Sequence, residues 1–431
     1  MRIGIVGAGW AGLAAGVLAA RDGHQVSVFE ASRALGGRAR ALPALLPDGR
    51  ALKLDNGQHI LIGAYSQTLA LLRSLGVEPD AVLRRLPLTL RFHDGSGLVL
   101  PDWTSPWNAL AGVAGARGWS LADKWSLGRA ALAWRNAAFA CAAGTTVADL
   151  CHGLSPRVRA ELIDPLCISA LNTPVERASG QVFLRVLRDA LFGAPGGSDL
   201  LLPLVDLSAL FPSAAAQAIA QAGGQVLRGT RVLQLQPATG AARWLVNRQP
   251  FDTVLLACGA RDASGLLEQC AAHASEPLAQ QMRGWSRVAR GLQFEGIATV
   301  YAWAPGARLT APMVALHSGA EAPAQFAFDR GQLGGEPGLL AFVVSASQGD
   351  RARLQAQVLA QARLQLGLAL QPVQTVVERR ATFSCTAALQ RPAQPIARGL
   401  LACADYVQGP YPATLEGALR SALGAQDRAW E

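Results

Sequence analysis

The amino-terminal residues alternate short apolar runs with glycine-rich turns. Residues 2–6 (RIGIV) predict a short buried strand, and residues 13–21 are rich in alanine and leucine, which favours a helix. Residues 23–29 carry Val26 and Val28 at alternate positions, a pattern typical of a second strand. These segments predict a β-α-β unit at the start of the chain.

Similar apolar runs return much later in the sequence. Residues 226–235 predict one strand, residues 251–257 (FDTVLLA) predict another, and residues 399–402 predict a last strand before a closing helix over 415–430. If all these strands share one sheet, the fold is α/β and its sheet is assembled from separated pieces of the chain.

We predict that three segments, residues 1–70, 205–275 and 385–431, build this first domain. The insertions 71–204 and 276–384 are then expected to form a second, α+β domain with helices and a mixed sheet. Four segments of the second insertion have regular patterns, which predict strands at 288–294, 297–303 and 339–344 and a helix at 350–366.

The composition narrows the class of protein. Charged residues make up only 16% of the 431 residues and hydrophobic residues 51%, which excludes an extensively disordered chain. The seven scattered cysteines contain no C-x-x-C pair, which argues against a disulfide framework or a metal site and fits a reducing cytoplasm. The net charge is +9, but the arginines form no dense run with interleaved aromatic residues, so we expect no nucleic-acid partner.

We also expect neither a signal peptide nor a membrane-spanning segment. The first apolar run leads straight into a glycine turn, which predicts that the fold begins at once. The longest uncharged stretch, residues 207–227, contains Pro212, three glutamines and a Gly-Gly pair, and therefore predicts a surface helix with its turn.

The first predicted strand is followed by a glycine motif, Gly7-x-Gly9-x-x-Gly12, that opens the first predicted helix. Glu30 ends the second strand 18 residues after Gly12. Such glycines allow a tight turn and a close backbone approach to a pyrophosphate, while the helix N-terminus offers N–H groups to it. The acidic residue can accept hydrogen bonds from ribose hydroxyls. We therefore predict a dinucleotide site that includes these residues and Ala11.

A second glycine turn, Gly36-Gly37-Arg38, follows Glu30. A dehydrogenase that uses a nicotinamide dinucleotide has no need for this turn. In a flavoprotein the paired glycines let the backbone pass close to the diphosphate, and Arg38 can neutralise its charge. The turn therefore favours FAD as the dinucleotide.

A polar loop, Asp55-Asn56-Gly57-Gln58-His59, lies between apolar residues and follows a strand-like run. We expect it to face the cofactor crevice, with Gly57 at the cofactor. His59 is able to donate a proton. In an alternative interpretation, His59 and Gln58 only form hydrogen bonds to the flavin ring or the backbone.

The carboxyl-terminal segment carries a further set of candidate cofactor residues. Asp405 follows the last predicted strand and can bind a ribityl hydroxyl. Pro412, Ala413 and Thr414 open the closing helix, whose N-terminus can point at the flavin pyrimidine, where negative charge collects on reduction. We also assign Val232, in the strand predicted over 226–235, to the cofactor site.

These motifs together resemble the flavin-containing amine oxidase and phytoene desaturase superfamily. That family opens with G-x-G-x-x-G-L-x-x-A, continues to E-A-x-x-x-x-G-G-R and closes with G-D followed by P-A-T-x-x-G-A. Residues 7–15, 30–38 and 405–418 match these motifs in order. The resemblance implies a Rossmann-type FAD-binding domain and an inserted substrate-binding domain.

A narrower resemblance is to the squalene-associated desaturases, now understood as hydroxysqualene dehydroxylases. The matching residues lie in four segments, 55–59, 164–174, 176–179 and 181–189. The resemblance implies a bacterial enzyme of hopanoid and squalene biosynthesis that removes the hydroxyl of hydroxysqualene reductively.

The expected reaction needs a proton for the departing hydroxyl and a hydride for the carbon. We predict that His59 donates or relays the proton and that Gln58 and Asp55 orient it. Asp164 and Asn172 are second candidates, with helix-capping and turn roles as their alternative. Since the chain has no second nucleotide-binding motif, the electron donor stays unidentified.

An isoprenoid substrate is so apolar that it has to come from a membrane. The first insertion carries half of the ten tryptophans, namely Trp103, Trp107, Trp119, Trp125 and Trp134. We predict that residues 103–134 attach the protein peripherally to the inner face of the cytoplasmic membrane, because Trp and Arg together suit the headgroup boundary. In the alternative interpretation, these tryptophans pack inside the helical domain.

Three departures from the family pattern keep other activities open. Ala404 and Ala422 replace glycines of the family motifs, and Tyr411 stands where leucine is expected. Tyr406 and Tyr411 could flank the flavin as in an amine oxidase, although neither of the two lysines lies in a region expected to reach the flavin. A carotenoid-type desaturase and a flavin-binding escort protein without turnover are further alternatives.

Overall fold

The predicted β-α-β unit is present at the amino terminus. The computed structural model describes residues 1–429 except 104–106, 192, 240 and 242. Strand Arg2–Val6 leads into helix Trp10–Arg21, and the chain returns as strand Gln25–Glu30, parallel to the first. Most residues of this helix are buried, and its many alanines and glycines allow it to pack closely against the sheet. Its N-terminus lies just after the end of the first strand.

A six-stranded sheet is built around this unit. Its order is Gln225–Arg228, Gln25–Glu30, Arg2–Val6, Thr253–Leu256, Leu400–Ala402 and Pro395–Ala397. The first five strands are parallel and the last is antiparallel. Because strands on either side of Arg2–Val6 are reached by connections in opposite directions, a crevice for a ligand is expected at the carboxyl ends of these strands.

Helices cover one face of this sheet. The first helix packs against Pro212–Gln221 and against the last helix, Leu415–Ala429. This layer contains a core of aliphatic residues with Trp10 stacked near Phe211 at a ring distance of 4.8 Å. The predicted α/β fold class is confirmed.

A second, antiparallel sheet lies within the second insertion. Its order is Met313–Ala315, Phe326–Asp329, Leu339–Ser345, Phe294–Trp303 and Gln371–Phe383. Helix Arg351–Leu366 covers one face through Leu354, Val358 and Ala362. The strand predicted over 288–294 is wrong, because helix Glu276–Arg290, which buries residues at helical spacing, extends into that stretch and the observed strand begins only at Phe294.

The first insertion is mainly helical. Besides the shorter elements given below, it contains helices Trp107–Ala114, Leu121–Asn136, Val147–Leu150, Pro156–Val158, Asp164–Leu171 and Gly180–Leu191, with a π-helical turn at Arg159–Ile163. Trp119 and Trp134 are buried among these helices, and Trp119 Nε1 donates to Glu161 Oε2 at 2.8 Å.

The rest of the fold consists of short paired strands and the remaining helices. The short strands are Ala41–Leu45 with Ala51–Asp55, Leu61–Ile62 with Leu200–Pro203 and Leu83–Leu86, Thr89–Arg91 with Gly97–Val99, and Leu235–Pro237 with Trp244–Val246 and Gln249–Phe251. The remaining helices are Ser66–Ser74, Pro79–Val82, Leu207–Leu210 and Ala260–Ala271, with a 3₁₀ turn at Gly331–Leu333.

Two predicted strands of the first domain are divided in the structure. The single strand predicted over 226–235 is wrong, because Gly229 adopts a φ of +68° and ends the first strand at Arg228. The run 251–257 is split at Asp252 between two sheets. The closing helix is described to Ala429, and Trp430 lies outside the described residues. The predicted domain boundaries stay a prediction, although each of the three segments contributes strands to the main sheet.

Candidate cofactor and active site

In the first glycine turn, Gly7 and Gly12 have no room for a side chain. Gly7 has a φ of +110°, and a Cβ there would lie 2.6 Å from the Ala257 carbonyl oxygen. A Cβ on Gly12 would lie 1.9 Å from the carbonyl oxygen of Gly7. Gly9 differs, since a Cβ there would meet only the Gly37 Cα at 3.9 Å. Gly7 and Gly12 therefore form the turn itself, whereas Gly9 leaves open space before the first helix.

The second glycine turn lies directly against the first. The Gly36 amide donates to the Ala8 carbonyl oxygen at 2.9 Å, and Gly9 and Gly36 form an isolated parallel bridge. Gly36 and Gly37 have φ values of +100° and +61°, a region that favours glycine. Ala11 is buried in the first turn of the adjoining helix. The two turns thus form one backbone cradle at the carboxyl end of the first strand.

Glu30 stands at the edge of this cradle. One carboxylate oxygen accepts from the Ala8 amide at 2.8 Å and the other from the Ser32 amide at 2.7 Å. The Thr230 amide donates to the Glu30 carbonyl oxygen at 2.8 Å, so the segment that leads to the buried Val232 lies beside Glu30. The structure therefore brings these two predicted cofactor residues to the same end of the cradle.

Arg38 connects the cradle to the carboxyl-terminal motif and to the second sheet. Its guanidinium donates to Asp405 Oδ1 and to the Ala381 carbonyl oxygen, both at 2.6 Å. The neighbouring Asp405 carboxylate raises the pKa of Arg38, which keeps the guanidinium charged. Because 44% of the side chain is still exposed, the guanidinium remains accessible to a ligand in the cleft.

The carboxyl-terminal motif anchors the last helix at the same site. The Ala413 amide donates to the Asp405 carbonyl oxygen at 3.3 Å, and Ala413 has a φ of +58°. Thr414 follows Pro412 and Ala413 and caps the helix, since its hydroxyl accepts from the Gly417 amide at 2.9 Å. The buried Glu416 carboxylate accepts from the Thr68 amide and hydroxyl, at 2.9 and 2.7 Å. Distant parts of the chain are thereby joined around the predicted cofactor residues.

His59 lies within the electrostatic reach of Arg38. Its Nδ1 lies 2.8 Å from the Gly57 carbonyl oxygen, which can only accept, so Nδ1 carries the hydrogen and Nε2 the lone pair of the neutral ring. Desolvation, with a smaller contribution from Arg38, lowers the pKa of His59. The imidazole is therefore mainly neutral at neutral pH.

Gln58 and Asp55 form a separate cluster beside His59. Arg330 Nη1 donates to Gln58 Oε1 at 3.3 Å, and its Nη2 lies 3.9 Å from Asp55 Oδ2. Asp55 also accepts from the Leu207 amide at 2.8 Å. Gly57, rather than either predicted side chain, thus holds the ring of His59. The sequence patterns do not single out Arg330, although an arginine directly after the strand-like run FAFD is a usable signal.

The buried Asp55 gives the stability of this cluster a pH dependence. Desolvation raises the pKa of Asp55 to about 6, against 3.8 for an ordinary aspartate. Between about pH 4 and 6 the folded protein holds a proton that the unfolded chain has lost, so stability falls as the pH rises through this window. Two pKa units correspond to about 3 kcal/mol.

We expect Asp55→Asn to remove this dependence, because asparagine keeps an oxygen for the Leu207 amide but does not ionise. Relative to wild type, the variant should gain up to about 3 kcal/mol between pH 4 and 7 in urea unfolding at saturating FAD. The exposed Asp48, whose pKa its bonds to Arg50 lower, provides a control. Asp48→Asn should show no such gain. A stability difference between Asp55→Asn and wild type that does not change between pH 4 and 7 would contradict the assignment.

The second pair of candidate catalytic residues lies in the helical insertion. Asn172 ends helix Asp164–Leu171 in the left-handed region, and its side chain donates to Thr382 Oγ1 at 2.9 Å and accepts from the Ala346 amide at 2.6 Å. It therefore has the capping role and also connects the two insertions. Asp164 Oδ1 is buried without a partner among the described residues, and desolvation raises the pKa of Asp164.

The tyrosines and lysines that we considered for an amine oxidase form contacts with other residues. The Tyr406 hydroxyl donates to the Cys258 carbonyl oxygen at 3.0 Å, and the Tyr411 hydroxyl donates to Asp189 Oδ2 at 2.9 Å. Lys53 is 74% exposed beside Asp206, and Lys124 donates to the Ala114 carbonyl oxygen. Both lysine amines therefore have a partner outside the loop that carries His59.

The fold and the paired glycine turns define a dinucleotide-binding protein with an open parallel sheet. The chain belongs to the flavin containing amine oxidoreductase family, whose model matches residues 10–428. The fit to FAD also stands on the structure, since the cradle excludes side chains, leaves space at Gly9 and presents the charged Arg38. The protein is therefore an FAD-dependent oxidoreductase.

The chain is also similar to individual proteins of known name or structure. A hydroxysqualene dehydroxylase from Rhodopseudomonas palustris is 28% identical over 98% of this chain and 97% of its own length. A second hydroxysqualene dehydroxylase, from Zymomonas mobilis, is 28% identical over 43% of each chain. The solved structure of an oxidoreductase from Methanosarcina mazei superposes with a TM-score of 0.73 at 16% identity, covering 99% of this chain and 100% of the other. The predicted family resemblance is confirmed.

Proposed function

We propose that this protein removes the hydroxyl group of hydroxysqualene to give squalene. The observation that carries the proposal is the full-length similarity to the Rhodopseudomonas palustris hydroxysqualene dehydroxylase. It is supported by the loop of residues 55–59, where the Gly57 carbonyl oxygen holds Nδ1 of His59 and leaves Nε2 as the ring nitrogen that can exchange a proton with a ligand near Arg38.

The reaction breaks one C–O bond and forms one C–H bond. The hydroxyl group takes up a proton and leaves as water, and the carbon receives a hydride. FAD, when bound in its reduced form, supplies the hydride. His59 holds or relays the proton: its Nδ1 hydrogen is committed to the Gly57 carbonyl oxygen, so Nε2 is the ring nitrogen that can exchange a proton with the ligand.

The remaining task of the chain is to position the substrate and to exclude water. An allylic cation is delocalised, but water would recapture it unless the site is closed and apolar. The second sheet and the helical insertion share one continuous core of buried apolar residues, and we propose that a long isoprenoid binds where these two parts meet.

We propose that the helical insertion attaches the protein to the inner face of the cytoplasmic membrane. Trp119 and Trp134 pack in the core, whereas Trp103, Trp107 and Trp125 are 62%, 64% and 75% exposed. Exposed Leu110, Leu121 and Leu132 lie in the same insertion. Among the described residues, no helix has the length and apolar character needed to span a membrane, so the attachment we propose is peripheral.

Substitution of Trp103 and Trp107 by serine is expected to weaken membrane attachment. Wild type should float with anionic liposomes, and the double variant should remain largely in the soluble fraction, because indole rings anchor at the headgroup boundary. Leu45 and Leu364 are also highly exposed apolar residues, but they lie outside this insertion. The control pair Leu45→Ser and Leu364→Ser should float like wild type. Equal flotation of all three proteins would refute the attachment surface.

A substrate panel tests the proposed reaction against the alternatives. Protein reduced anaerobically with dithionite is incubated with hydroxysqualene, and oxidised protein with phytoene, dehydrosqualene or a series of amines. We expect squalene from the first incubation alone. Desaturated products would indicate a carotenoid-type desaturase, hydrogen peroxide release would indicate an amine oxidase, and no turnover in any incubation would favour an escort protein.

A further inference from the structure

One buried hydroxyl near His59 has no partner within the protein. Thr299 lies in strand Phe294–Trp303 and is 1% exposed, and its Oγ1 forms no hydrogen bond among the described residues. Buried polar groups are normally paired, so an unpaired hydroxyl in a well-packed sheet indicates a partner that arrives with a ligand.

The hydroxyl faces the loop of residues 55–59. Along this strand Ala298, Val300 and Ala302 pack into the core under helix Arg351–Leu366. Thr299 and Tyr301 point to the opposite face because side chains alternate along a strand. Tyr301 reaches the loop, since its hydroxyl donates to the Asp55 carbonyl oxygen at 2.9 Å.

Gly57 leaves a small space between Thr299 and His59. A Cβ on Gly57 would lie 3.8 Å from Thr299 Oγ1 and 3.9 Å from His59 Cε1, with no other atom within 4 Å. Its backbone is not in the left-handed region, so its conformation does not require glycine. The missing side chain instead keeps open the point that the hydroxyl and the imidazole flank.

We propose that Thr299 is a specificity-determining residue whose hydroxyl donates a hydrogen bond to the oxygen of the substrate's hydroxyl group. The inference rests on the proposed function and identifies how the site distinguishes its substrate from the product, which lacks that oxygen. His59 reaches the same oxygen from the other side of the space at Gly57. A site that pairs a buried hydroxyl with a ligand oxygen discriminates against the analogue without it.

The test uses Thr299→Val, which removes the hydroxyl at nearly constant volume, and Thr299→Ser, which keeps it. Binding of hydroxysqualene and of squalene to the oxidised, FAD-loaded protein is followed by the change in the flavin absorption spectrum. Thr299→Val should bind hydroxysqualene about tenfold more weakly, with squalene binding unchanged. Thr299→Ser should resemble wild type. Without ligand, Thr299→Val should unfold at the same or a higher temperature, because it removes an unpaired buried hydroxyl.

Four results would overturn the proposal. Equal weakening for both ligands indicates a packing role. No change for either ligand indicates no role in binding. A flavin spectrum or reduction potential altered without ligand, at an unchanged ratio of the two affinities, assigns the hydroxyl to the cofactor. A Thr299→Val variant that is less stable or does not fold indicates a partner within the protein. If wild type neither prefers nor converts hydroxysqualene, the proposed function itself fails, whereas conversion with an unchanged ratio removes Thr299 alone.

Discussion

Gly12→Ala is expected to yield a protein that purifies without FAD. The added Cβ would lie 1.9 Å from the Gly7 carbonyl oxygen, a backbone atom that cannot move without opening the turn. Overpacking of this kind costs about 1–3 kcal/mol, so we expect the FAD affinity to fall by about 5- to 150-fold. The flavin-to-protein absorbance ratio and titration calorimetry of the apoprotein measure it.

Two matched glycines separate the effects on fold and on cofactor. Gly9→Ala meets no protein atom closer than 3.9 Å, so its apoprotein should be as stable as wild type while FAD binding weakens, because the methyl group would occupy the approach to the pyrophosphate. Gly265→Ala, in open space on helix Ala260–Ala271, should bind FAD normally. A Gly12→Ala protein with wild-type FAD affinity would show that the cradle is not the cofactor site.

His59→Gln is expected to retain FAD and lose most of the reductive activity. General acid catalysis contributes about 10²–10⁴-fold, so the rate at which squalene forms from pre-reduced protein should fall by that order. The pKa of His59 is lowered by desolvation, so the protonated form, which donates, grows as the pH falls. The wild-type rate should therefore rise from neutral to acidic pH, and that rise should be absent from the variant.

His152 provides the control for this substitution. It is an exposed histidine of the helical insertion, outside the residues that surround His59. His152→Gln should keep the wild-type rate and its pH dependence. An unchanged rate in His59→Gln, with FAD bound, would remove His59 from the mechanism and leave it a hydrogen-bonding role in the loop.

The sequence predicts the cradle well because its determinants are local. A Cβ on Gly12 or Gly36 would meet backbone only five or three residues away along the chain. Gly7, Gly36 and Gly37 have a positive φ, which is also a local requirement, although the contact of Gly7 with Ala257 is long-range. The strand Arg2–Val6 was predicted with its observed bounds for the same reason. Short apolar runs, glycine turns and capping residues carry this information directly.

The sequence does not predict the partners that surround His59. Arg330 contacts Gln58 across 272 residues, and Tyr301 contacts Asp55 across 246 residues. Such contacts depend on how the second sheet packs on the loop, which no local pattern encodes. The predicted strand at 288–294 is also wrong, because Val288 and Ala289 belong to the last turn of helix Glu276–Arg290, where Ala289 is buried.

The tryptophans illustrate the same limit. Trp119 and Trp125 lie six residues apart, yet the first is buried and the second is 75% exposed. Both suit a membrane boundary and a helical core by residue type, so only the packing of helix Leu121–Asn136 distinguishes them.

A single-turnover experiment measures directly whether the reduced protein converts hydroxysqualene to squalene. The protein is reduced anaerobically to the two-electron level, excess reductant is removed, and one equivalent of hydroxysqualene is added. We expect the absorption spectrum of oxidised flavin to return and one molecule of squalene to form per flavin. A flavin that stays reduced, with hydroxysqualene recovered unchanged, would contradict it.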